Sequence, residues 1–334
     1  YTRSSNILQT VMILSMIFWP MFAVIGYNYM SLVLSSLFPV FSLLLIGSLL
    51  KRLKLTNEMF LKLSDRLVYF IFFPVLLFWK IGGAEVGRFV NWNLCIAVLV
   101  SIAVAYIISA LALKLFNISD YKAGSFSQSC YRFNTYIGMA IIFYAYGEEG
   151  IKHFGLLIGF AIPFINVLAV STLIWYSGKT TSSGSRLGIF FKEIFTNPLV
   201  LSCAAGLAYS RMIGFFPAFI DNTFRLMSAA ALPLALISIG GALTMKGLRG
   251  NFGISTIGSI IKLLFLPLVG FFVLGKLQVT GLPFKVGMIF FMLPTSASIY
   301  VLSSQLNSDT ELASSAIVLS TILSFFSLSL GLML

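Results

Sequence analysis

Two short runs hold the residues of this chain that could bind a solute, and both lie in stretches otherwise too apolar to suit them. The first, SFSQSCYRFNTYIGMAI, carries Arg132, Asn134, Thr135 and Gly138. The second, MLPTSASIY, carries Pro294, Thr295, Ser296 and Ser298. Asn134 and Thr135 offer side-chain donors and acceptors. Arg132 is a permanent cation, costly to bury at such depth unless it is used. Gly138 lets the backbone depart from helix. Pro294 removes a backbone donor and breaks a helix, and Thr295, Ser296 and Ser298 can satisfy the freed carbonyls or touch a ligand. Two breaks at equivalent depth would aim two half-helix N-termini at one spot. Free N–H groups and the helix dipole favour an anion there. With Arg132 beside them, the expected ligand is a small carboxylate. A purely structural use competes with this reading, above all for Asn134 and Ser298, because polar side chains also join helices without any ligand.

Other residues extend or limit that chemistry. Lys262, in GSIIKLLFLPLVG, is a second cation within an apolar run; it can snorkel, bind a carbonyl or draw in substrate. Asn166 is a weaker candidate for lining a path. Pro74 and Pro233 are further expected helix breaks. Asp65, Asp221, Glu148 and Glu149 sit at the ends of apolar runs, which argues against a sodium or proton site built on carboxylates. Cys95, Cys130 and Cys203 fall in apolar stretches without a C-x-x-C pair and read as buried thiols. His153 is the one histidine, too few for a His-based metal site. No H-E-x-x-H, Ser/His or paired-carboxylate constellation is present, so neither an enzyme nor a cofactor is expected.

The elements that must position these residues are membrane helices. Of 334 residues, 59% are hydrophobic and 10% charged, against roughly 25% charged in globular domains. The mean hydropathy is +0.99. Irregular backbone facing lipid is not viable, so the apolar runs are predicted helices. They lie near 31–50, 59–81, 92–113, 124–146 and 152–177, then 198–215, 219–245, 253–275, 281–303 and 310–334. Residues 1–29 form an extra apolar segment, either an additional helix or sequence ahead of a start at Met30. The most polar connector, GKTTSSGS, opens a linker over 178–197 that separates a first repeat (30–177) from a second (198–334). The linker's later part, with Phe190, Phe191 and Phe195 beside Lys192 and Glu193, suits the membrane surface. The net charge of +12 is spread over short loops, which suits lipid headgroups rather than nucleic acid. Lys51, Arg52, Lys54, Lys62 and Arg66 place the loop after the first core helix inside.

The halves resemble each other. Arg66-Leu precedes Pro74 much as Arg225-Leu precedes Pro233, and both prolines lead into apolar stretches ending in Gly-Gly. Pro74 to Asn134 spans 60 positions and Pro233 to Pro294 spans 61. Thirteen residues after Asn134 comes Gly147, and thirteen after Pro294 comes Asn307. Five helices cross an odd number of times, so a second copy enters from the opposite side. That predicts an all-α polytopic protein of ten transmembrane helices in two inverted five-helix repeats, a plan of secondary transporters.

CYRFNTYIGMAI followed by GEEGI, TNPL at 196–199, ALPLALISIGG at 231–241, IKLLFLPLV at 261–269 and LPTSASIY at 293–300 together resemble the auxin efflux carrier family, nearest its bacterial branch. The resemblance covers about residues 30–334. It implies a scaffold half, a transport half, and broken fourth and ninth helices that cross at the site. It assigns contact with a substrate carboxylate to Asn134 and the second crossover proline to Pro294, while Phe133 stands where plant members carry proline. It further implies a permease for a small organic anion, such as a dicarboxylate, in the bacterial inner membrane. Membrane lipid and a second copy of the chain are the other expected partners. A sodium-coupled symporter of the bile-acid type and a membrane sensor or scaffold without transport are the alternatives. Direction of flux and coupling, by uniport or by proton, stay open.

Overall fold

The computed structural model describes residues 31–83, 91–176, 196–243 and 248–334. The extra N-terminal segment and nearly all of the linker therefore lie outside the described residues. Among the described residues every regular element is helical. Among the described residues six helical stretches are long and apolar enough to cross a membrane: Ser31–Arg52, Trp92–Leu115, Asp120–Leu173, Ala218–Ala242, Gly250–Lys276 and Thr310–Met333. Their outward faces are apolar, as at Phe38 (68% exposed), Leu45 (71%), Phe272 (68%) and Phe326 (66%). Such a surface is stable only against lipid, and the chain is an integral multi-pass membrane protein.

In chain order the helices are α1 (Ser31–Arg52), α2 (Glu58–Leu67), α3 (Phe73–Gly82), α4 (Trp92–Leu115), α5 (Asp120–Tyr131) and α6 (Thr135–Tyr176). Then follow α7 (Pro198–Met212), α8 (Ala218–Ala242), α9 (Leu248–Ile260), α10 (Leu266–Lys276), α11 (Gly281–Met292), α12 (Ser298–Gln305) and α13 (Thr310–Met333). Asparagine or aspartate caps start several of them. Asn57, Asn91, Asn197 and Asp309 each accept hydrogen bonds from the first free backbone N–H groups, which removes the polar cost of a helix start near lipid.

The prolines act differently from one another. Pro74 and Pro267 each stand at the second position of a helix, behind a π-helical turn at Val68–Phe72 and Ile261–Phe265. There Phe73 N–H reaches Val68 O and Leu266 N–H reaches Ile261 O. The wider turn absorbs the missing donor, so α2 runs into α3 and α9 into α10 without a gap. Pro233 lies inside a continuous α8. The breaks expected at Pro74 and Pro233 are thus a π turn and an unbroken helix. The three residues after each of these prolines are apolar, and none could satisfy the backbone groups that a gap would free.

Two helix groups emerge from the packing. The α2 and α3 pair contacts α7 and α8, whereas α4, α5, α9, α10, α11 and α13 contact one another, and α6 touches both groups. The crossing of α1 and α8 is backbone to backbone. A Cβ on Gly47 would lie 2.2 Å from Ile237 O, and one on Gly240 would lie 2.0 Å from Leu44 O. Only glycine permits that approach.

Six of the seven residues with positive φ among the described residues fall in pairs, and Gly281 stands alone. Lys54 and Gly214, Asn117 and Gln278, and Gly147 and Asn307 all have positive φ, and the members stand 160, 161 and 160 positions apart. Gly147, at φ 61 and ψ −151, divides α6 into limbs over 135–146 and 148–176.

Candidate functional site

The site forms where two helices stop and resume. α5 ends at Tyr131, and Arg132 is extended at φ −68 and ψ 148. The chain re-enters helix at Thr135 because Asn134 caps it: Oδ1 accepts from Tyr136 N–H and Ile137 N–H, both at 3.2 Å. α11 ends at Met292, and Leu293 is extended at φ −65 and ψ 146. Helix resumes at Ser298, whose N–H donates to Ser296 Oγ at 3.2 Å.

The two gaps are hydrogen-bonded to each other. Asn134 N–H donates to Pro294 O at 2.9 Å. Thr295 Oγ1 donates to Ser129 O, the carbonyl of a residue in α5, at 2.8 Å. Thr295 N–H donates to Ser320 Oγ on α13 at 3.1 Å. Phe133 fills the space between, with its ring 4.3 Å from that of Phe290 and 6.3 Å from that of Phe154. No proline is needed to hold the first gap open, because Asn134 and Pro294 supply one another's missing partner.

Both cations lie at the C-terminal ends of the half-helices. Arg132 follows α5 directly and donates to Gln128 Oε1 at 2.9 Å and Asn166 Oδ1 at 2.7 Å. Lys262, fully buried on the π turn before α10, donates from Nζ to Phe291 O at 2.8 Å. Helix C-termini carry partial negative charge, so each cation is placed where the backbone favours it. The starts of α6 and α12 meet the same gaps with only neutral caps. Positive backbone ends with neutral caps can accept a carboxylate.

The structure brings Arg132, Asn134, Thr135, Pro294 and Thr295 together at the paired gaps, with Asn166 joined through Arg132. Arg132, Asn134, Asn166, Pro294 and Thr295 are buried, Thr135 and Ser296 are half-buried, and Ser298 is exposed. Ser296 and Ser298 hydroxyls lie 2.9 Å apart, on the more open side of the second gap. Gly138 stays helical, donating its N–H to Asn134 O at 3.0 Å. Its lack of a side chain makes room rather than a bend: a Cβ there would lie 2.5 Å from both Leu293 Cδ1 and Phe154 Cζ. Gln128, Ser129 and Ser320 complete the hydrogen bonding and were not singled out from sequence. Gln128 sat in a visibly polar run, whereas Ser320 is a lone hydroxyl in an apolar helix and gave no signal.

One further contact joins the helix groups. Lys80 on α3 pairs with Glu148, at the turn within α6, and its Nζ lies 3.7 Å above the Trp79 ring. Trp79 in turn donates to Asp221 on α8 at 2.7 Å.

Comparison with known proteins places the chain among transporter-like sequences. Residues 185–332 match the family described as membrane transport protein. A protein of Methanocaldococcus jannaschii described as an uncharacterized transporter is 22% identical over 298 residues, 87% of this chain and 95% of its own length. Another uncharacterized transporter, from Methanothermobacter thermautotrophicus, is 36% identical over 104 residues, 31% of this chain and 34% of its own length.

Proposed function

We propose that the chain, whose residues 185–332 match the membrane transport protein family in line with the resemblance read from the sequence, is a secondary carrier of a small organic anion, a carboxylate or dicarboxylate, working by alternating access in the inner membrane. The observation that carries this reading is the hydrogen bond from Asn134 N–H to Pro294 O. It ties two helix interruptions into one polar spot inside an apolar protein.

Three features support ten helices in two inverted repeats. The apolar run Asp120–Leu173 is 54 residues long, far beyond the roughly 20 that span a bilayer, and it divides at Gly147. Three pairs of left-handed turns recur at offsets of 160 and 161, as repeats of equal length require. The gaps at Asn134 and Pro294 stand at the same offset. In this reading α2, α3, α7 and α8 belong to a scaffold, together with α1, which is held to α8 at the Gly47 and Gly240 crossing. The remaining helices carry the site and move against that scaffold.

The solute class follows from charge. Arg132 and the starts of α6 and α12 are positive, and the buried polar residues at the gaps are neutral. Asn134, Thr135, Thr295, Ser296 and Ser298 can orient a carboxylate by hydrogen bonds, and Arg132 raises the local potential. A screen of labelled dicarboxylates, amino acids and indole acids against proteoliposomes tests the proposal. Saturable uptake of one or more organic anions is expected. Uptake confined to neutral or cationic solutes would overturn it.

A further inference from the structure

The backbone at the end of α11 has lost a donor, and Lys262 has replaced it. In a continuous helix Thr295 N–H would donate to Phe291 O, four residues back. Here Thr295 N–H is turned to Ser320 Oγ. Pro294 has no N–H to offer to Phe290 O. The last carbonyls of α11 therefore form the negative end of a half-helix within the protein interior. Lys262 Nζ lies 2.8 Å from Phe291 O.

Among the described residues no carboxylate lies within ion-pair distance of the Lys262 ammonium. The elements packed on its π turn are α4, α5, α9, α10, α11 and α13. Of their charged side chains among the described residues, Lys114, Asp120, Lys122, Lys276 and Glu311 stand in a first or last turn and Lys285 one turn into α11, and the Cys130 thiol is the nearby titratable group. A buried cation held by a half-helix C-terminus and no acid matches the role that a sodium ion plays in carriers with broken helices, where freed carbonyls coordinate it.

Resting on the carrier reading above, we infer that the Lys262 ammonium is a tethered cation in the position that a mobile coupling ion would occupy, so that solute flux needs no sodium. The lysine moves with its helix, and the negative end of α11 stays compensated throughout the transport cycle. A sodium-coupled carrier would leave that end bare when empty.

The test compares the unaltered protein with Lys262→Ala and Lys262→Met in choline, sodium, potassium and ethylammonium chlorides. Thermal midpoints are read in detergent and flux in proteoliposomes. The unaltered protein is expected to behave alike in sodium and choline. Lys262→Ala opens room for an ion; its midpoint is expected to fall in choline and recover in sodium or ethylammonium, and its flux to fall by about tenfold or more in choline and recover likewise. Lys262→Met fills the room without charge, so its flux is expected to stay low in every salt. Sodium dependence of the unaltered protein would overturn the inference, as would failure of every small cation to restore Lys262→Ala, or full flux by Lys262→Met in choline. Cation-specific restoration of the Lys262→Ala midpoint, with no flux by the unaltered protein, would instead overturn the carrier reading and leave the cation position standing.

Discussion

The N–H of Asn134 and the carbonyl of Pro294 meet at 2.9 Å, joining the first half of the chain to the second at the point where each gives up its helix. The bond uses one group from each residue that its own helix leaves free. Pro294 has a carbonyl but no N–H, and Asn134 has an N–H that its own helix no longer uses. Its side chain meanwhile starts the next helix. A hydrogen bond between two gaps holds both open without strained backbone at either.

Pro294→Ala restores a donor that could reach Phe290 O and extend α11 across the gap. Thermal stability is expected to hold or rise, since proline costs about 3 kcal/mol in a helix interior. Uptake is expected to fall sharply because Pro294 O would leave Asn134. Uptake equal to the unaltered protein, at equal stability, would show that the second gap is dispensable.

Gly240→Ala places a methyl group 2.0 Å from Leu44 O. Neither backbone can yield without parting α1 from α8. A loss of about 1–3 kcal/mol is expected, read as a lower thermal midpoint in detergent. Gly253→Ala, where a Cβ would meet nothing within 4 Å, is the matched control and is expected to leave the midpoint unchanged or slightly raised.

Lys80 and Glu148 link α3 to the turn within α6, and so tie together the two groups of helices. The Lys80 side chain is 9% exposed and that of Glu148 is 63% exposed. Water reaches the carboxylate, so a coupling of about 1 kcal/mol is expected from a double-mutant cycle with Lys80→Met and Glu148→Gln. The coupling should weaken in high salt. The pair holds the groups in one arrangement, so Glu148→Gln is expected to alter the transport rate more than it alters stability. A change in stability alone would assign the pair to folding.

Much of this arrangement could be read from residue types. Polar residues and proline within apolar runs marked both gaps, because bare backbone cannot face lipid and a break must be met by protein. Pro294 is followed by Thr295, Ser296 and Ser298, whose hydroxyls can meet freed groups. Pro233 is followed by Leu234, Ala235 and Leu236, which cannot, and the helix stays whole there. That contrast was present in the sequence, although the prolines alone suggested equal breaks. The matched spacing to Gly147 and Asn307 was legible, since both occupy left-handed turns. The partners were not. Ser320 and the carbonyl of Phe291 carry no local pattern that would mark them, because what selects them is the crossing of distant segments. Gly138 misled for a related reason: its conformation is ordinary helix, and its absent side chain serves Leu293 and Phe154.

The most direct test of the central claim is saturable flux of labelled dicarboxylates into proteoliposomes by the unaltered protein and by Asn134→Asp. Aspartate caps a helix as well as asparagine and keeps the backbone N–H that meets Pro294 O, but it sets a negative charge where the solute carboxylate is proposed to bind. The account expects saturable flux from the unaltered protein and loss of nearly all of it in Asn134→Asp, with the variant still recovered folded from membranes. Undiminished flux through Asn134→Asp would contradict it.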